Sequence, residues 1–401
     1  MRQGVSGFQG ARLTQAREGR GMTQSTLATL IGRSSTAVSR WEKGDQLPEN
    51  EALDSLERQL AIPASWFLKP IPDYGVRPFF FRSKAAITRT ARSIAKTRLE
   101  FTQEASQTLQ EWVEWPSVNV PSLAATDYLK VRDEDIESIA LDIRKHWKLG
   151  LGPISDMILV LENAGIVVAR EEIGYSNMDG VSKWFDVDGR PYIFLATDKA
   201  NSVRQRFDAA HELAHLVLHR HLGDIEFNAH YAEVERQANL FAGIFLLPDE
   251  SFSAEIMTPS LDTFVALKSR WKTSAGAMIS RSKQLGIVTE DYATRLWKNY
   301  SARGWRRGEP GDDRVPFEAV RLMPRAINLL LEEGGFDHAR IVSEIGLFEP
   351  DIERLCGLSE GFFSAPKKNV IQMKLRESKQ GTSDPLASSG TVVDISTRRN
   401  A

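Results

Sequence analysis

The sequence predicts a multidomain chain: an all-α amino-terminal domain, an α+β domain built around a buried histidine-bearing helix, and a helical carboxy-terminal region. Three observations carry this. Apolar residues between Leu13 and Leu60 recur at helical spacing, broken by Gly19-Arg20-Gly21 and Gly32. Five of the seven histidines fall between His211 and His230, in a largely apolar stretch preceded by short segments rich in β-branched and aromatic residues. After Pro248 the helical periodicity resumes with no catalytic pattern of its own.

At 401 residues the chain has room for roughly two or three domains, and 42% hydrophobic with 26% charged residues is ordinary for a globular protein. No apolar run approaches the ~20 residues of a membrane span. The opening Met1-Arg2-Gln3-Gly4-Val5-Ser6-Gly7-Phe8 lacks the apolar centre of a secretory signal, and the lone Cys356 excludes an internal disulfide. A cytoplasmic protein with no membrane partner is expected.

In the amino-terminal domain Leu13, Ala16, Leu27, Ala28, Ile31, Val38, Trp41, Leu53, Leu56 and Leu60 form the inward faces of short helices, with a turn from Gly44 to Pro48. The run Thr23-Gln24-Ser25-Thr26-Leu27-Ala28, followed by Gly32-Arg33-Ser34-Ser35-Thr36-Ala37-Val38-Ser39-Arg40-Trp41-Glu42-Lys43-Gly44, is similar to the Xre/Cro helix-turn-helix family. The resemblance implies a second helix that enters the major groove of a double-stranded DNA operator with its first residues at the base edges. It assigns base reading to Ser35, Thr36 and Arg40, the start of the supporting helix to Gln24, and a DNA contact to Lys43. Only Arg40 can fork onto guanine. Residues 1–44 carry Arg2, Arg12, Arg17, Arg20, Arg33, Arg40 and Lys43 against Glu18 and Glu42, a local charge of +5 on a chain of net −2. Such a basic surface favours phosphate contact. The alternative is a module used to dimerise or to recognise another repressor of the same fold.

The proline-rich segment 62–78 reads as a linker. Beyond it a helical stretch to Glu114 carries Arg82, Lys84, Arg89, Arg92, Lys96 and Arg98, the pattern of a solvated basic face. Segments 166–173, 181–187 and 192–196 have strand composition and predict a small sheet beside the histidine helix.

That helix carries His211-Glu212-Leu213-Ala214-His215. Residues four apart share a helical face, so both imidazoles can bind one metal ion with Glu212 beside it as a base. Neutral imidazole binds Zn²⁺ at roughly 2.0–2.1 Å, and an open position lowers the pKa of a bound water toward ~7. Two sources for a third ligand can be read. His221 has the spacing of the HExxHxxGxxH class, but Leu218 stands where that class needs a glycine to turn the chain. His219 lies about 6 Å of helix rise beyond His215 and, like His221, reads as a helix-end histidine favoured by the dipole. The other source is a glutamate on the next helical stretch, Glu233 to Pro248, where Glu235 and Asn239 share a face; it would complete a His₂Glu site.

The blocks Arg204-Gln205-Arg206-Phe207-Asp208-Ala209-Ala210-His211-Glu212-Leu213-Ala214-His215 and Glu235-Arg236-Gln237-Ala238-Asn239-Leu240-Phe241-Ala242, with Leu246-Leu247-Pro248, closely resemble the ImmA/IrrE family of metallopeptidases. The likeness covers roughly residues 120 to 300. It implies a zincin-like α+β domain in which Zn²⁺ is held by His211, His215 and Glu235, Glu212 is the catalytic base, and the substrate is a protein. His230 or Tyr231 is a candidate oxyanion donor.

The expected organisation is a helix-turn-helix domain (1–70), a linker and basic helix (71–119), a metallopeptidase domain (120–300), a helical regulatory region (301–377) and a disordered tail (378–401). The expected function is a DNA-binding regulator with zinc endopeptidase activity. Its substrate would be a helix-turn-helix repressor, cleaved to derepress a stress, mobile-element or defence operon, with a homodimer among the assemblies considered. DNA held by one domain would raise the effective concentration of a neighbouring repressor for the other. The rival is a non-proteolytic, antitoxin-like repressor with a structural or sensing zinc site.

Overall fold

Helices α1 (Gly10–Gly19), α2 (Gln24–Leu30), α3 (Ser35–Lys43) and α4 (Asn50–Leu60) form where the helical spacing placed them, and Leu13, Leu27, Val38, Trp41 and Leu56 are buried between them. Their starts are chemical. The Thr23 hydroxyl accepts from the Thr26 N–H at 3.0 Å, and that of Ser34 from the Ala37 N–H at 3.1 Å. Each satisfies a donor that no helical carbonyl reaches. Gly44, at φ +78°, closes α3 in a left-handed turn that a side chain would strain. The computed structural model that gives this architecture describes residues 4–82, 88–121, 128–199 and 201–364.

A turn of 3₁₀ helix (Ala64–Leu68) buries Trp66 and Phe67. It leads to β1 (Phe80–Arg82) and the long α5 (Arg89–Gln110). Residues 71–119 were expected as a linker with a solvated basic helix, and the structure differs. β1 is the edge strand of the sheet. α5 buries Ala91, Ile94, Ala95, Leu99, Phe101, Ala105 and Leu109 because it packs on α1 on one side and on the sheet on the other. Arg89, Arg92 and Lys96 are solvated as expected, whereas Arg98 is buried. Lys84 lies outside the described residues.

Helices α6 (Asp133–His146) and α7 (Met157–Asn163) precede β2 (Val167–Glu171), β3 (Gly180–Phe185) and β4 (Arg190–Ala196). The sheet order is β1-β3-β4-β2, with β4 and β2 parallel and the other pairs antiparallel. Alternation along the strands feeds two cores. Val167, Ala169, Val181, Tyr192 and Phe194 face α5 and the amino-terminal helices. Val168, Trp184, Ile193 and Leu195 face the opposite core. That core is formed by α6, α7, α8 (Ser202–Leu218) and α10 (Tyr231–Leu246), and extended by α11 (Asp249–Ala254), α12 (Leu261–Trp271), α13 (Ala275–Gln284) and α14 (Glu290–Ala302), while α9 (Asp224–Ala229) places Phe227 in a smaller cluster with Phe80. Helices α15 (Leu322–Glu332), α16 (His338–Ile345) and α17 (Glu349–Cys356) return to pack on α5. Residues up to Ser364 therefore cluster as one unit, and the expected tail, 378–401, lies outside the described residues.

One buried ion cluster ties this unit together. The Arg98 guanidinium of α5 donates to Glu171 of β2 at 2.6 and 3.0 Å and to Asp351 of α17 at 2.8 Å. Asp351 also pairs with Arg20 at the end of α1. Burial opposes the Asp351 charge, yet Arg20, Arg98 and Arg354 hold its carboxyl below the usual range. Removing the shared cation leaves the Glu171 and Asp351 carboxylates with the half-exposed Arg354 and, for Asp351, Arg20 as their remaining cations. Arg98→Ala is expected to lower unfolding stability by about 3–5 kcal/mol, read from urea melts; a loss below ~1 kcal/mol would show the cluster to be no more than a surface pair.

Candidate metal centre

Asn201 starts α8 by accepting from the Arg204 N–H at 2.9 Å. The helix then runs between the sheet and α10, so that His211, Glu212 and His215 are fully buried. His211 Nε2 and His215 Nε2 lie 3.1 Å apart. From α10, Glu235 presents Oε2 at 3.6 Å from the first and Oε1 at 3.3 Å from the second. Donors at ~2.0–2.1 Å from a tetrahedral metal stand about 3.4 Å from one another. The three atoms therefore have the spacing of one face of such a site. Glu235 Oε1 makes no hydrogen bond, and two Nε2 atoms aimed at each other cannot both donate. This donor set, two imidazoles and a carboxylate, fits Zn²⁺.

The ring nitrogens away from this point are fixed by neighbours. His211 Nδ1 meets Asn239 Oδ1 at 3.2 Å, while the Asn239 amide nitrogen donates to the Glu235 carbonyl at 2.7 Å. His215 Nδ1 meets His219 Nδ1 at 3.0 Å, and His219 Nε2 meets Gln237 Oε1 at 2.9 Å. The Gln237 amide nitrogen is committed to the Tyr128 carbonyl at 2.8 Å and to Glu233 at 3.1 Å, so its oxygen must accept. The relay then has one consistent protonation: His219 donates from Nε2 and accepts at Nδ1, and His215 donates from Nδ1. That leaves His215 Nε2 with a free lone pair.

His219 is thus corrected from a charged helix-end residue. It ends α8, but it is fully buried, and burial pushes its pKa down to about 3, so the ring is neutral and gains nothing from the dipole. His221 is exposed. Burial likewise pushes His211 down to about 3. Glu235 is held below its usual range: desolvation opposes this, but the His211 and His215 imidazoles beside it prevail.

Glu212 Oε2 accepts from the Ser182 hydroxyl at 2.6 Å, and Oε1 makes no hydrogen bond. Gly180 makes room for it, since a Cβ there would sit 2.9 Å from Oε1 and 3.3 Å from the Phe194 carbonyl. Ser182, Gly180 and Gln237 escaped the sequence reading because only the β3 register and the packing of α10 on α8 bring them here. Of the expected oxyanion donors, His230 is exposed and faces Tyr128, and Tyr231 is half-buried against Phe227.

On the amino-terminal domain Ser35, Thr36, Arg40 and Lys43 are exposed on α3. Gln24 is half-buried and donates to Glu42 at 2.6 Å, joining α2 to α3. The local +5 does not survive folding as a surface. Arg12 pairs with Glu104, Arg17 with Glu42, Arg20 with Asp351 and Arg33 with Glu49. Glu104 and Asp351 from distant segments, and Glu42 and Glu49 of the domain itself, neutralise these guanidinium groups, and the outward charge on α3 comes from Arg40 and Lys43. Arg2 lies outside the described residues.

The fold and these residues fit two classes of domain, a helix-turn-helix domain and a metallopeptidase-type domain. Residues 13–67 match the helix-turn-helix family, and residues 161–283 match the IrrE N-terminal-like domain, a metallopeptidase family. The chain joins the two. No curated protein matches it. Among the described residues no helix is long and apolar enough to cross a membrane.

Burial pushes the Glu212 carboxyl well up despite the Ser182 hydrogen bond. A raised pKa means that its stabilising contribution is complete below the unfolded value of ~4.3 and is lost as pH rises through the folded value. Metal-free Glu212→Gln should therefore exceed the metal-free wild type in stability at pH 8 by more than at pH 5. Thermal melts in chelator test this, and an advantage that shrinks as pH rises would contradict the burial argument.

Proposed function

We propose that the chain is a DNA-binding transcriptional regulator with zinc-dependent endopeptidase activity, acting in the cytoplasm on a helix-turn-helix repressor and so derepressing a stress, mobile-element or defence operon. The observation that carries the peptidase reading is the convergence of His211, His215 and Glu235, with Glu212 beside them and no fourth His, Cys, Asp or Glu in the cluster among the described residues. A structural site is closed by four ligands, whereas a catalytic one keeps a position open. His219, which could have closed it, is spent on His215 and Gln237.

In this reading His211, His215 and Glu235 would hold Zn²⁺, which when bound would supply Lewis acidity toward the scissile carbonyl and lower the pKa of water. Glu212 takes the proton from the attacking water at its unbonded Oε1 and delivers it to the leaving amine nitrogen. The Ser182 hydroxyl fixes the carboxylate through Oε2. Asn239 and the His219–Gln237 pair hold the two imidazoles in the ligating tautomer. His230 or Tyr231 is the proposed donor to the carbonyl oxygen.

Glu235→Ala should strip zinc, while His221→Ala keeps it; Asn239→Ala should weaken metal affinity by only ~10–100-fold. Glu212→Gln should keep zinc and lose cleavage of the candidate repressor. Metal content and proteolysis are measured on the same samples; zinc lost from His221→Ala but retained by Glu235→Ala would overturn the ligand assignment.

On DNA, Ser35, Thr36 and Arg40 are the proposed base readers and Lys43 a phosphate contact, with Gln24 bracing α2. Arg40→Ala should weaken operator binding by ~1–3 kcal/mol and relax preference at one base position, whereas Lys43→Ala should weaken all sequences evenly. Titrations over operator variants at two salt concentrations separate these effects. Sequence-independent binding by the wild type would refute a reading role for α3.

A further inference from the structure

The candidate centre is closed to a polypeptide in this conformation. His211, Glu212 and His215 expose no surface, and the Glu235 side chain is 15% exposed. A protein substrate reaching Glu212 must arrive as an extended segment, because a peptide bond presented on a rigid element has no free backbone to pair. The sheet offers one suitable edge. Gly180 and Ser182 of β3 lie against Glu212, and β3 has β4 on one side and β1 on the other. β1 occupies the side where an added peptide would pair.

The side chains of β1 behave as a bound peptide's would. In antiparallel register Phe80 faces Ser182, Phe81 faces Val181 and Arg82 faces Gly180. Phe80 and Arg82 turn toward α8, and Phe81 turns to the other face of the sheet. The Phe80 ring stacks on His215 with centroids 5.0 Å apart and planes within 5°. Tyr128, Leu222, Phe227 and Val234 complete its surroundings. Arg82 pairs with Asp208, a carboxylate whose side chain is 3% exposed, one turn before His211. Three residues of β1 thus span the length of the HExxH motif.

We propose that the outer edge of β3 is the peptide-binding strand of this peptidase and that the chain's own Phe80-Phe81-Arg82 fills it. The site then selects an extended segment with an aromatic side chain two residues before an arginine, admitted when β1 leaves. The proposal rests on the peptidase reading above. Its chemistry is that of strand addition, in which backbone bonds give affinity and the pockets for alternate side chains give selectivity. When β1 leaves, the buried Asp208 carboxylate loses its cation and the face of His215 loses its ring. A substrate that restores both is favoured over one that restores neither. β1 is suited to exchange because it is three residues long and paired on one side only.

The test uses full-length, zinc-loaded protein and a fluorescein-labelled peptide with the sequence of residues 76–85. Anisotropy titrations compare Glu212→Gln, which cannot consume the peptide, with Glu212→Gln carrying Phe80→Ala and Arg82→Ala. An occupied site weakens apparent affinity by the fraction of molecules with the strand in place, so the triple variant should bind about tenfold tighter or better. Replacing the phenylalanine or the arginine of the peptide that matches Phe80 or Arg82 by alanine should cancel this gain. Arg82→Ala alone on Glu212→Gln, which keeps the Phe80 packing, should show an intermediate gain and covers failure of the triple variant to fold. Equal affinity in all proteins, or binding indifferent to those two peptide side chains, overturns the proposal. Cleavage of labelled casein is then compared between Phe80→Ala/Arg82→Ala and wild type. Faster cleavage by the variant supports latency. Strengthened peptide binding without any cleavage refutes the peptidase reading and leaves the strand assignment standing.

Discussion

Packing α8 between the sheet and α10 is the constraint on which the rest of the structure depends. It takes the imidazoles of His211, His215 and His219 and the Glu212 carboxyl out of water and half-buries Glu235, and groups so placed must be paired, hydrogen-bonded or neutral. Each solution is visible. His219 and Gln237 take the free nitrogen of His215, Asn239 takes that of His211, and Ser182 takes one oxygen of Glu212. What these partners leave over, two Nε2 lone pairs and a Glu235 oxygen, is a compact set of donors facing one point. The same burial that makes Glu212 hard to ionise raises its affinity for a proton.

The amino-terminal domain meets its own constraint in a different way. Its helices are short, and its core gains area by packing α1 on α5. Arginines that in sequence look like a DNA-facing surface are used at this junction. Arg12 reaches Glu104 and Arg20 reaches Asp351, partners on α5 and α17. Helix α3 keeps Arg40 and Lys43 exposed for outward contact. Because Asp351 binds Arg20 and Arg98 together, the amino-terminal domain, the sheet and the carboxy-terminal helices share one buried cluster.

Much of the fold was legible. The helices of residues 10–60, the three strands of residues 167–196 and helices α8 and α10 follow from periodicity and composition, since 3.6-residue and alternating patterns are local properties. The segment 71–119 was legible in its helix and not in its burial. Arg98 and Arg82 look solvated in sequence because a charge run carries no record of a carboxylate that lies far along the chain. His219 misled for a related reason: its place at the end of α8 was readable, whereas the Gln237 that keeps it buried and neutral sits on another helix.

By itself the sequence determined which atoms can bind metal and move a proton, because HExxH spacing sets two imidazoles and a carboxylate on one helix whatever surrounds it. It also determined the form of α3, through the Ser34 cap and the Gly44 turn. Tertiary structure alone decided the rest. Glu235 is a neighbour because α10 crosses α8, Gly180 matters because β3 passes over Glu212, and Phe80 covers His215 because β1 joins that strand. These pairings join residues far apart in the chain, and only packing converts such distance into contact.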